Sequence, residues 1–147
     1  KIIVGTASRR VYFTCVRDEL LDSGPDVLSV SAGAEQILSL DAGAAFGGAT
    51  YLVLGSLSGS SPGVVIGGHL VPLVIDTYTL FSLTHPNQPP LVDTLGVLDL
   101  DGRAEARFEA SVLSAGLVGT ELDHAFVLLD GSDVVLSSNA RPTTLVD

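Results

Sequence analysis

The chain has 147 residues, enough for one domain that buries roughly two-thirds of its unfolded surface without a metal or disulfide to hold it. Its residues are 46% hydrophobic but only 5% aromatic, with no Trp or Met, so the core is built from Leu, Val, Ala and Ile, and the single cysteine, Cys15, excludes an internal disulfide. A net charge of −10 disfavours nucleic acid as a partner, and no uninterrupted apolar run reaches membrane-spanning length.

That charge is divided along the chain. Lys1, Arg9, Arg10 and Arg17 fall within the first seventeen residues, which contain no acid and carry +4. The remainder sets Arg103, Arg107 and Arg141 against all seventeen acids, a formal −14, so the two parts attract. A plain solvated strand face accounts for the same basic residues without any function. Within the basic part, residues 10–16 place Val11, Phe13 and Cys15 against Tyr12, Thr14 and Val16, with β-formers on both faces. This reads as a strand with two buried faces, and Arg9, Arg10, Val11, Phe13, Cys15 and Arg17 are the candidate interaction residues. The acidic "DELLDSGPD" (18–26) ends in Gly24-Pro25, a linker or turn signal. The expected organisation is an N-terminal basic strand and acidic linker over 1–25 and a β-sandwich domain over 26–147.

Short β-like runs follow at 27–31, 35–40, 50–57, 70–75, 78–83, 121–129, 134–138 and 143–146, each bounded by Gly, Pro, Asn, Asp or Ser. In "LDLDGRAEARFEAS" (98–111) the odd positions Arg103, Glu105, Arg107 and Glu109 alternate with Ala104, Ala106, Phe108 and Ala110, the period of a half-buried strand. Asp101-Gly102 then predicts a hairpin joining 95–100 to 103–110 through a type I′ turn, and Asp130-Gly131 marks a second. Short helical turns fit 76–83, capped by Asp76, and 111–117. The predicted fold class is all-β, an antiparallel β-sandwich of Ig-like or jelly-roll-like type.

Catalytic chemistry finds little support. "GSSPG" (59–63) puts Ser61 where a nucleophile elbow would, but Pro62 has no N–H to give an oxyanion, so a loop explains it better. His69, His85 and His124 stand apart, without metal-ligand spacing; His124 and Asp123 point to opposite strand faces, and His85 reads as exposed. Asp99 with Asp101, and Asp130 with Asp133, are weak calcium candidates, though Ala110 stands where an EF-hand would need its closing acid and turns explain both pairs better. No other cofactor is expected.

The stretches "LSLDAG" (38–43), "YLVLGSLSGSSPG" (51–63), "LGVLDLDGRAEARF" (95–108), "LVGTELDHAFVLLD" (117–130) and "SSNARPTTL" (137–145) carry a resemblance to a Gly-, Leu- and Ser-rich β-module of large secreted or surface bacterial proteins. The resemblance covers about 27–146 and implies an extracellular or cell-surface β-sandwich without an established activity. The leading functional expectation is a non-enzymatic structural module that self-associates, a filament subunit joined by strand addition from residues 9–16 to a neighbour. The same strand could instead pair within its own chain. The alternative is a carbohydrate-binding or adhesion module, set against the absence of Trp; a hydrolase ranks third.

Overall fold

Strict alternation does make residues 103–109 a strand: Ala106 and Phe108 are buried while Arg103 and Glu105 face solvent. In the computed structural model, which describes residues 20–147, this strand, β9 (Arg103–Glu109), pairs with β3 (Glu35–Asp41) and β7 (Leu91–Val92). Adding β1 (Leu21–Gly24) beyond β3 completes a four-stranded antiparallel sheet in the order β1-β3-β9-β7. The candidate strand residues Arg9, Arg10, Val11, Phe13, Cys15 and Arg17 lie outside the described residues.

A second sheet faces the first. It runs β2 (Val27–Ser29), β12 (Arg141–Val146), β10 (Glu121–Asp130), β4 (Thr50–Ser56), β8 (Leu95–Val97), with β11 (Asp133–Ser137) hairpinned onto β10. All of its pairings are antiparallel except β2 with β12. The fold is therefore an all-β, sandwich-like architecture, as expected. Between the sheets, Leu21, Leu40, Val53, Phe126 and Leu128 fill one end of the core, and Leu28, Leu91, Phe108, Leu122 and Leu145 fill the other. A third layer, the hairpin β5 (Val64–Ile66) and β6 (His69–Val71), covers the outer face of β4 and β10, where Leu52, Leu54, Ala125 and Val127 meet Val71 and Leu73. Burial on both faces explains why "YLVLGS" and "AFVLL" read as continuous apolar runs.

Four expectations need correction. The acidic linker is not a linker at Leu21–Gly24, which forms β1, because Leu21 inserts into the core and Asn139 holds its backbone. Of the two readings of 78–83 the strand falls and the helix capped by Asp76 holds, as α1 (Thr77–Thr84), since Asp76 and Thr79 form a capping box that overrides the β-like pattern. Of the run 70–75 only its first two residues are strand, in β6, and the hairpin partner β5 precedes it. The 95–110 segment is not a two-stranded hairpin: β8 pairs with β4 in one sheet and β9 with β3 in the other. Only the tip closes, with Asp99 N–H donating to Arg103 O (2.9 Å) and Gly102 N–H to Asp99 O (3.0 Å). Gly102 alone of the Asp-Gly pair has positive φ (78°), giving a three-residue loop in place of type I′, and a Cβ there would collide with the Gly43 carbonyl. The strands then part because Leu98 turns into the core while its N–H bonds Ala49 O.

One side of the sandwich is closed by a polar seam. Buried Gln36 donates to Pro25 O (3.1 Å) and Pro142 O (3.3 Å) and accepts from Thr143 Oγ1 (2.6 Å), tying β3 to β12 across the layers. Arg141 extends the seam to Asp26 (3.3 Å) and Asp22 (3.8 Å).

Candidate functional site

Away from that seam, α1 enters between the layers as an aromatic plug. Asp76 fixes it: its carboxylate accepts from Thr79 N (3.0 Å), Leu57 N (2.7 Å) and Ser58 Oγ (2.8 Å). Burial alone would raise the pKa of Asp76, but these hydrogen bonds outweigh it and hold the group down at about 2. Ser82 accepts from Gly55 N (3.1 Å), and Gly55 has no room for a Cβ because the Tyr78 ring lies against it. The helix thus delivers Tyr78 and Phe81 inward while Leu80 and Leu83 face out.

A cleft of about 150 Å3 remains beside the plug. Phe108, Leu122 and Leu145 form its floor, Tyr78, Phe81 and Pro90 one wall, and Leu113, Leu117 and Thr120 the rim. The rim residues sit on and after two 3-10 turns, Ala110–Val112 and Ala115–Leu117, matching the helical turn anticipated at 111–117. The cleft presents no polar surface.

Behind the floor lies His124, fully buried, its ring centroid 5.1 Å from Phe108 and 5.7 Å from Tyr78. Its Nε2 hydrogen-bonds the Tyr78 hydroxyl at 2.7 Å, and its Nδ1 has no partner among the described residues. Burial pushes the His124 pKa down to about 4, and burial, reinforced by Asp76, pushes the Tyr78 phenol up, so both stay neutral near pH 7. The inward aim of His124 follows from its alternation with Leu122 and Phe126; its Tyr78 partner, on another element, leaves no signal in the sequence. Chemically the arrangement is a receptacle for carbon.

The remaining sequence candidates fall elsewhere. Asp99, Asp101, Asp130 and Asp133 are all exposed; Asp99 Oδ1 already accepts from Asp101 N and Arg103 N (both 2.9 Å), while Asp130 and Asp133 pair across the Gly131-Ser132 turn. Among the described residues no three His, Cys, Asp or Glu side chains gather as a metal group. Ser61 lies in an exposed loop, His85 is exposed, and His124 and Asp123 do face opposite ways. No described helix is long and apolar enough to cross a membrane.

The sheet edges bear on strand addition, and they are short and partly stoppered. The chain's two asparagines perform the same task. Asn139 accepts from Leu21 N (3.0 Å) and donates to Leu21 O (2.9 Å), and Asn87 accepts from Leu95 N (3.0 Å) and donates to Leu95 O (3.2 Å). Each amide imitates one rung of a neighbouring strand on the edge strands β1 and β8. Beyond Asn87, Val97 (63% exposed) and Leu100 (87%) leave an apolar strip on β8 and its turn. All three arginines of the body pair with carboxylates: Arg103 with Asp41 (3.3 Å), Arg107 with Glu35 (3.8 Å) and Arg141 with Asp26.

No protein-family model matches the chain, and neither the curated proteins nor the solved structures provide a match.

Proposed function

We propose that this chain is a non-enzymatic structural module of an extracellular or cell-surface protein. Copies associate head to tail through the basic N-terminal segment, building a filament or other homopolymer. The observation that supports this reading is the division of charge. In the body each arginine is matched to a carboxylate and acids remain in large excess, whereas residues 1–17 hold four basic groups and no acid. Such a segment is drawn to the body of another copy, and the contact is a different surface on each partner, which propagates unless it closes into a ring. A carbohydrate reading draws less support, since a cleft without polar surface offers nothing to sugar hydroxyls.

The test compares the solution mass of the full chain with that of a chain starting at Leu20, which keeps β1, at matched concentration in low and high salt. The full chain is expected to polymerise, less so in high salt because exposed charges are screened beyond ~10 Å at 0.1 M, and the shortened chain to stay monomeric. Identical monomeric masses for both would refute the reading.

A further inference from the structure

We infer that the apolar cleft is the acceptor in this contact and that it receives the Phe13 side chain of a neighbouring copy. The inference rests on the self-association proposed above and supplies its anchor.

Ladder hydrogen bonds alone are a poor anchor. The edge strands β1, β2, β7, β8 and β11 have four, three, two, three and five residues, and two of them already carry an asparagine amide. Specificity then falls to a side chain seated in a desolvated pocket. The cleft's size selects which one: an apolar cavity of roughly 150 Å3 takes up a single benzene-sized ring. Of the chain's five phenylalanines, Phe46, Phe81, Phe108 and Phe126 have places in the body, and Phe13 is the fifth. In the sequence Phe13 stands two residues before Cys15 and is flanked by Arg10 and Arg17, while Glu109 and Glu121 directly adjoin the lining residues Phe108 and Leu122.

Direction selects a neighbouring copy over the chain's own body. β1 enters beside Leu40, at the core end shared with Phe126 and Leu128, and runs toward the end that holds the cleft. Leu20, the first described residue, gives its carbonyl to Asp41 N–H at this same end of the core, so the chain joins the body at the end opposite the cleft. Exit at one end and acceptance at the other is the geometry of an open chain of subunits.

The single native cysteine makes the test specific. In the full chain, Leu113→Cys and Leu117→Cys place a thiol on the rim where Cys15 of a docked segment emerges, and Val65→Cys, exposed on the outer hairpin, is the control. After mild oxidation the two rim variants are expected to give a ladder of disulfide-linked dimers, trimers and longer species. The control should give only what the unsubstituted chain gives. Phe13→Ala is expected to weaken assembly at least tenfold with an unfolding curve like that of the unsubstituted chain, and Tyr12→Ala, its neighbour in the sequence, far less. If the unsubstituted chain polymerises but rim and control variants cross-link alike, the cleft is not the acceptor although self-association stands. A rim variant that closes an internal disulfide as a monomer overturns the neighbour-copy assignment in favour of its own segment. An unsubstituted chain that stays monomeric removes the self-association reading itself.

Discussion

The polar seam and the apolar cleft close two parts of the same sandwich by opposite means. At the seam the side-chain groups of Gln36 and Thr143 are matched to backbone carbonyls and to each other, so the strands can settle in only one register. At the cleft, rings from α1 and β9 meet imperfectly and leave space, lined by carbon alone. The first region is specified by saturated hydrogen bonding. The second forgoes packing contacts that a ligand side chain could restore, and that difference is why the cleft, and not the seam, is the place to look for binding.

Substitutions separate the two regions, beginning with the largest effect. Phe108→Ala removes the ring shared by the core and the cleft floor and is expected to destabilise by about 3–5 kcal/mol in denaturant unfolding. Next comes the buried histidine. The unfolded chain takes up a proton near pH 6.5 and the folded one only near 4, so stability is complete above 6.5 and declines by about 3 kcal/mol as pH falls from 6.5 to 4. Unfolding curves across that window should lose this slope in His124→Phe. Asp76 acts in a lower window: its folded pKa of about 2 lies below 3.8, so its contribution is intact above 3.8 and fades only as pH approaches 2. At the seam, Thr143→Val leaves Gln36 Oε1 buried without its donor and is expected to cost about 2 kcal/mol, with no effect on self-association. The smallest effect belongs to the rim: Leu113→Phe, reaching into the cleft, should change stability by under about 1 kcal/mol yet abolish assembly. A seam variant that altered assembly, or a Leu113→Phe chain that still assembled, would reverse the comparison.

The alternation in β9 and the turn at Asp130-Gly131 were legible because each is a local pattern with one structural reading. The helix at Thr77–Thr84 was half legible: Asp76 announces a cap, but Leu80 and Leu83 on the solvent side blur the helical stripe. The hairpin of β5 and β6 leaves little trace although Gly67-Gly68, both at positive φ (59° and 82°), is its turn, because the flanking Val64-Val65-Ile66 does not alternate apolar with polar. Local pattern also cannot say that two strands flanking a tight turn join different sheets, as β8 and β9 do. The site was least visible, since Tyr78, Phe108 and His124 meet only when three distant elements pack.

The most direct measurement mixes two monomeric variants and weighs the product by light scattering. One starts at Leu20 and can only accept; the other keeps residues 1–19 but carries Leu113→Phe and can only donate. The expected result is a 1:1 dimer that grows no further, with each variant alone remaining a monomer. Failure of the mixture to form any dimer, when the full unsubstituted chain polymerises under the same conditions, would contradict a head-to-tail contact between the N-terminal segment and the cleft.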